Sequence, residues 1–212
     1  MITSLSQLDP NGSYTYADYL TWKFDEYVEL IKGKIFKMAA PSRIHQKISS
    51  NLHHEIRIFF AQNPCEVYAA PFDVRLKRLD KLTQKEITTV VQPDICIICD
   101  LKKLDDRGCD GAPDLVIEIL SPGNTKKEMN QKFEVYEESG VKEYWLVNAT
   151  DKNIFIYRLN EAGKYVGIQP LTEDNSATTP IFEGMSIDLK KIFNYWKLKN
   201  PIAATKKLNL RI

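Results

Sequence analysis

One short segment, residues 115–120, is apolar at every position except Glu118. A nearly continuous apolar run of this length predicts a β-strand that is buried on both faces, as at the centre of a sheet. A carboxylate among Val116, Ile117 and Ile119 is costly to bury unless it pairs with a cation or binds a metal ion. The segment therefore predicts an interior strand that carries one paired or metal-binding acid.

Helical and strand patterns occur on both sides of this segment. A helix is predicted after Ser42, a good N-cap, because Ile44, Ile48, Leu52 and Ile56 recur at helical spacing. We expect an α/β fold with one mixed β-sheet, helix 43–61 on one face and helix 125–139 on another. Strands are predicted at 27–31, 34–38, 66–79, 88–99, 114–120, 143–149, 154–158 and 165–171, and further helices at 14–22 and 187–196.

Length and charge limit the domain organisation and the class of protein. The 212 residues suggest a single domain, which we assign to 1–196. The remainder, 197–212, has five basic residues and no acid, and we interpret it as a solvated end, with a nucleic-acid arm as the alternative. A net charge of +1 excludes a protein held to nucleic acid mainly by bulk charge. No apolar run is long enough to span a membrane and no secretory signal is present, so we expect a cytoplasmic protein.

The four cysteines include one close pair, Cys96 and Cys99, whose spacing invites a zinc or redox interpretation. Both lie in a predicted strand, where residues three apart point to opposite faces. Cys65 and Cys109 stand alone in the sequence. We therefore expect four small, buried thiols in a reducing cytosol.

A second acid, Asp94, follows Pro93 in the strand that precedes the apolar segment. A proline within a strand marks an edge or a bulge. If the two strands pair in antiparallel fashion, Asp94 and Glu118 converge on one spot, which suits a hard divalent cation. The alternative is a buried Glu118 that pairs with a Lys or Arg for structure alone, and spacing leaves both interpretations open.

Several stretches, in order along residues 14–196, resemble the Uma2 family of endonucleases, whose core belongs to the PD-(D/E)XK, restriction-endonuclease-like superfamily. Each stretch is a weak signal alone, whereas the ordered set is strong. The stretches are ELIKG (29–33), MAAPSRIH (38–45), FDVRL (72–76), VQPD (91–94), GAPDLVIEILSP (111–122), KFEVY (132–136) and GVKEYWLV (140–147).

The resemblance implies a metal site. Asp94 and Glu118 would bind Mg²⁺ or Mn²⁺, with the carbonyl of Ile119 as an additional ligand. Such an ion activates water and stabilises charge on a phosphate.

The resemblance also assigns a lysine. The position two residues after the glutamate, where the superfamily has a lysine, is Leu120 here. A lysine on the following helix is thought to take this role in the family, and Lys132 matches it. Glu29 and His45 match the N-terminal acid and histidine of the family, each with a structural role as the alternative.

The function expected from these residues is metal-dependent hydrolysis of DNA by an endonuclease. The alternative is a nucleic-acid-binding module on a nuclease fold with weak or no catalysis, since a fold does not imply its function. A purely structural oligomerisation protein has no positive motif. DNA is the expected partner, a membrane is not, and a homodimer is left open.

Overall fold

The computed structural model describes residues 2–78, 87–121 and 126–193, with the side chains of 126–128 excepted. The predicted tail 197–212 therefore lies outside the described residues. None of the helices within these ranges has the length and apolar character needed to cross a bilayer. The α-helices are α1 (Tyr16–Tyr19), α2 (Arg43–Phe59), α3 (Lys126–Ser139) and α4 (Leu189–Phe193). The strands are β1 (Val28–Ile31), β2 (Lys34–Lys37), β3 (Glu66–Ala69), β4 (Val74–Leu76), β5 (Thr89–Val91), β6 (Ile95–Ile98), β7 (Leu104–Asp105), β8 (Gly108–Asp110), β9 (Leu115–Leu120), β10 (Glu143–Asn148), β11 (Asn153–Leu159), β12 (Tyr165–Gly167), β13 (Leu171–Thr172), β14 (Ser176–Thr178) and β15 (Ser186–Asp188).

These strands form two large sheets and a small hairpin, so the expectation of one mixed sheet was wrong. The N-terminal sheet has the order β2-β1-β5-β4-β8-β7, and the central sheet has the order β12-β11-β10-β9-β6-β3, with β13 also paired to β11. The chain passes between the two sheets after β3 and again after β5, and Pro71 and Pro93 lie in these connections. Proline cannot donate a ladder hydrogen bond, which explains why each predicted long strand, 66–79 and 88–99, is divided in two.

The apolar strand β9 lies inside the central sheet, as predicted. It runs parallel to β10 and antiparallel to β6, with Ile117 opposite Ile95. Its residues Leu115 to Ile119 are all buried. The mixed α/β architecture predicted from the sequence is therefore confirmed.

The two long helices cover opposite faces of the central sheet, as predicted. Ile117 and Ile119 of β9 belong to the same apolar cluster as α2, while Val116 packs with Val135 and Tyr136 of α3. Alternate residues of a strand point to opposite faces, so the α3 face is also the face of Glu118. The fully buried apolar residues of α2 are Ile48, Leu52 and Ile56. Burial of each side chain stabilises the fold by about 1.5–3 kcal/mol.

The cysteines differ from the prediction in one pair. Cys65 and Cys99 form a disulfide, whereas Cys96 and Cys109 are buried thiols. Cys65 immediately precedes β3 and Cys99 immediately follows β6, and the antiparallel register of these strands places the two residues opposite each other. Cys65 and Cys99 are 34 residues apart and only strand pairing brings them together, so their spacing along the chain gives no sign of the disulfide. The predicted opposite orientation of Cys96 and Cys99 is confirmed, since they pack into different apolar clusters.

Candidate active site

Asp94, which immediately precedes β6, and Glu118 of the neighbouring strand β9 lie beside each other in the central sheet. Ile95 of β6 lies opposite Ile117 of β9. Continuing this antiparallel register by one residue places Asp94 opposite Glu118. The backbone N–H of Ile119 donates to Asp94 Oδ2 at 2.7 Å. In an extended strand the carbonyl of a residue points to the same side as its N–H, so the Ile119 carbonyl also faces Asp94.

Helix α3 brings a buried cation to Glu118. Lys132 Nζ lies 2.9 Å from Glu118 Oε1 and 2.9 Å from Glu29 Oε1, and only 7% of Lys132 is exposed. Tyr136, one helical turn later, donates to the same Glu118 oxygen at 2.6 Å. Residues four apart share a helix face, so α3 presents the ammonium and the phenol together.

Glu29 comes from the other sheet. It lies on β1, is 1% exposed, and accepts a hydrogen bond from the backbone N–H of Gln92 at 2.8 Å in addition to its contact with Lys132. Lys132 therefore bridges one carboxylate of each large sheet. This second partner of Lys132 was not part of the sequence prediction.

His45 contacts Asp94 from helix α2, which covers the face of the central sheet opposite to α3. Its Nε2 lies 3.1 Å from Asp94 Oδ2. Ser42 caps α2 through its hydroxyl, which accepts from the His45 N–H, and so fixes the first turn that carries the histidine. Burial lowers the pKa of His45, but the hydrogen bond and charge of Asp94 and the charge of Glu118 outweigh this effect, and the net shift is upward.

The ionisation of the central groups follows from their burial. Burial raises the pKa of Glu118 to about 7; the charges of Asp94 and Glu29 add to the rise, and Lys132 opposes it. For Lys132, burial lowers the pKa, but the two carboxylates outweigh it and hold the pKa well above its ordinary value. The two carboxylates therefore favour the ammonium form of Lys132, whereas burial favours the neutral form of Glu118.

The hydrogen bonds to each acid fall on one oxygen. Lys132 and Tyr136 both contact Glu118 Oε1, and His45 and Ile119 both contact Asp94 Oδ2. No hydrogen bond from the described part of the chain reaches Glu118 Oε2 or Asp94 Oδ1. These two oxygens, with the Ile119 carbonyl, fit the few protein ligands that Mg²⁺ takes when it keeps several waters. Within the described ranges, no set of three or more His, Cys, Asp or Glu side chains is arranged to enclose an ion.

A cleft opens beside Glu118 and Lys132. Leu120, which occupies the position where the superfamily has a lysine, lies in its wall, so residues 120 and 132 face the same space. The cleft is lined by Glu118, Ile119, Leu120, Met129, Lys132, Tyr144 and Leu146.

The structure thus brings together all six residues predicted for the site, namely Glu29, His45, Asp94, Glu118, Ile119 and Lys132. Their catalytic and metal-binding roles stay predictions. The side chains of Lys126 and Lys127, the neighbouring lysines of α3, lie outside the described residues. Gln92 was missed as a contact of Glu29, and its position two residues before Asp94 was the one available signal.

A family model described as "Putative restriction endonuclease", Uma2, matches residues 16–190. The chain belongs to the Uma2 family. The resemblance drawn from the sequence motifs is therefore confirmed.

Two similar proteins cover most of the same region. An uncharacterized protein of Synechocystis, slr1290, is 23% identical over 175 residues, which is 81% of this chain and 88% of the relative. A crystal structure from Anabaena variabilis, described as a "putative nuclease belonging to DUF820", matches with a TM-score of 0.66 and 20% identity, over 85% of this chain and 98% of that one. The structural match shows the same fold.

Proposed function

We propose that this Uma2 protein is a metal-dependent endonuclease that hydrolyses phosphodiester bonds of DNA. The observation that carries the proposal is the paired arrangement of Asp94 and Glu118. Each acid has one oxygen held by hydrogen bonds and a second oxygen that accepts none from the described residues. Membership of the family supports nuclease chemistry in general.

Asp94 Oδ1, Glu118 Oε2 and the Ile119 carbonyl would hold Mg²⁺ or Mn²⁺. When bound, the cation lowers the pKa of a coordinated water and stabilises charge that develops on the phosphate. His45 and the Ile119 N–H orient Asp94 by holding its other oxygen. Tyr136 does the same for Glu118.

Lys132 contributes positive charge rather than a base. Its raised pKa keeps it protonated, so it cannot accept a proton at neutral pH. An ammonium has three donors, and two of them are directed at Glu29 and Glu118. The third can orient a water or contact a phosphate oxygen in the cleft.

The test is incubation of the purified protein with supercoiled circular DNA in Mg²⁺, Mn²⁺ or EDTA. A closed circle has no ends, so its conversion to nicked or linear forms identifies endonuclease activity. We expect conversion in Mg²⁺ or Mn²⁺, none in EDTA, and none for Glu118→Gln or Asp94→Asn. Glu55→Gln is the matched control, because Glu55 pairs with Lys191 instead of a residue of the site.

A parallel incubation with RNA of the same sequence tests the choice of nucleic acid. Cleavage that persists in EDTA, or in both site variants, contradicts the proposed site. DNA binding by the wild type without cleavage in either metal contradicts the proposal and favours a binding module.

A further inference from the structure

A short connection, residues 92–94, contacts one acid of the site, Glu29, and carries another, Asp94. The backbone N–H of Gln92 donates to Glu29 Oε1 at 2.8 Å, and Asp94 follows two residues later. This connection leads from β5 of the N-terminal sheet to β6 of the central sheet, across Pro93. The relative placement of Glu29 and Asp94 therefore depends on how these three residues are held.

The side chain of Gln92 is anchored by residues outside the site. Its Nε2 donates to Asp73 Oδ1 at 2.7 Å, and the hydroxyl of Tyr19 donates to the same oxygen at 3.3 Å. Gln92 is only 9% exposed, and Asp73 lies in another connection between the two sheets, the one from β3 to β4 after Pro71. The Asp73–Gln92 hydrogen bond thus links the β3–β4 connection to the β5–β6 connection.

The Asp73–Gln92 hydrogen bond is well suited to fix the position of residues 92–94. Pro93 cannot donate a ladder hydrogen bond, and the Gln92 N–H is directed at the Glu29 side chain, so backbone pairing reaches this connection only at its end, where the Ala70 N–H donates to the Asp94 carbonyl at 3.2 Å. A hydrogen bond to a carboxylate is stronger than one between neutral groups. Burial raises the pKa of Asp73, while the bonds from Gln92 and Tyr19 oppose that rise, which shows that they favour its ionised form.

We propose that Asp73 is a positioning residue of the site. It acts through Gln92. The backbone N–H of Gln92 orients Glu29, and the position of the Gln92 backbone determines where Asp94, two residues later, is placed. Glu29 in turn contacts Lys132, so the link extends from α1 to the buried ammonium. The inference rests on the proposed nuclease function for its catalytic consequence, but its structural consequence can be measured separately.

The decisive experiment exchanges the two partners. At pH 8, Gln92→Glu places a second carboxylate against Asp73, which should remove the hydrogen bond and lower kcat about 10-fold or more. The double variant Gln92→Glu/Asp73→Asn restores a donor and an acceptor in exchanged positions. We expect its kcat to return to within about three-fold of wild type, with DNA affinity unchanged throughout.

A second pair of variants has a built-in control on the same helix. Tyr19→Phe removes a hydroxyl that donates to Asp73 and accepts from Gln92 Nε2 at 3.5 Å, and should lower kcat about three-fold. Tyr16→Phe removes a buried hydroxyl that has no hydrogen-bond partner in the described structure, and should leave kcat unchanged. The rings of Tyr16 and Tyr19 stack with centroids 6.0 Å apart, so the two substitutions alter the same helix face.

Hydrogen exchange of the Gln92 amide measures positioning without activity. The exchange rate should rise about 10-fold in Gln92→Glu, because the amide loses its fixed approach to Glu29, and should recover in the double variant. Wild-type kcat in Gln92→Glu, or a folded double variant in which neither rate recovers, would overturn the inference. If the wild type neither cleaves DNA nor binds Mn²⁺ but the exchange rates behave as stated, the proposed function fails while the positioning link stands.

Discussion

The raised pKa of Glu118 makes the stability of the protein depend on pH in a defined direction. Between the ordinary pKa of 4.5 and the folded-state value of about 7, the folded protein binds a proton that the unfolded chain does not. The free energy of unfolding contributed by this residue therefore falls as pH rises through that interval. Burial disfavours the ionised form of Glu118 even with the Lys132 ammonium beside it.

The magnitude follows from the size of the shift. Each pKa unit corresponds to about 1.4 kcal/mol, so the interval from 4.5 to about 7 corresponds to about 3 kcal/mol. Glu118 is 8% exposed, so solvent reduces this figure little. Replacement by Gln removes the titration while keeping the shape of the side chain and one acceptor for Lys132 and Tyr136.

The assay is urea denaturation of wild type and Glu118→Gln in EDTA at several pH values from 4 to 8. All other titrating groups are common to the two proteins, so their difference reports the titration of Glu118 together with its effect on the pKa of His45. We expect the difference in the free energy of unfolding to move in favour of the variant by about 3 kcal/mol across this range. Addition of Mg²⁺ at pH 8 should then stabilise the wild type and not the variant.

One result would refute this reasoning. If the difference changes by less than about 0.5 kcal/mol, which is near the limit of additivity for such comparisons, Glu118 does not titrate in this range. The ion pair with Lys132 would then outweigh burial, and Glu118 would be a structural partner of Lys132.

Three further results are expected. Lys132→Ala should lower turnover about 100-fold, since it removes a preorganised charge, with little change in DNA affinity measured by fluorescence anisotropy; equal losses in both would show that Lys132 only binds DNA. Reduction of the Cys65–Cys99 disulfide, which joins residues 34 apart, should lower stability by about 3–4 kcal/mol; thermal denaturation with and without reductant measures this, and identical curves would contradict it. His45→Ala should weaken Mn²⁺ binding about 10-fold in an electron paramagnetic resonance titration, because Asp94 loses one of the two groups that orient its carboxylate; unchanged affinity would remove His45 from the site.

The sequence predicted local elements and the strand neighbours of the site better than it predicted the sheets. The apolar composition of β9 was enough to place it in the interior of a sheet, and the proline before Asp94 marked an irregularity. The division into two sheets depends on where the chain goes after Pro71 and Pro93, and a proline shows that a ladder ends without showing where the next begins. The short strands β7 and β8, which lie between the predicted strands 88–99 and 114–120, were missed; they pair with each other, and β8 also pairs with β4, a distant part of the chain.

The candidate site was predicted as a set of residues and not as a network. Motif positions identified Glu29 and Lys132, but nothing in their spacing, about one hundred residues apart, indicated that they touch. The same holds for the Cys65–Cys99 disulfide. Both contacts form between elements that only the complete fold makes adjacent.

The shared space in front of Leu120 and Lys132 has an evolutionary consequence. One position belongs to a strand and the other to a helix, yet both side chains line a single cleft beside Glu118. A lineage could therefore acquire a lysine on the helix while the strand lysine was still present, and lose the older one afterwards, without an intermediate that lacked the charge. If Lys132 takes the role of the superfamily lysine, the departure from the superfamily pattern at Leu120 is a relocation of one charge from a strand to a helix within a single cleft.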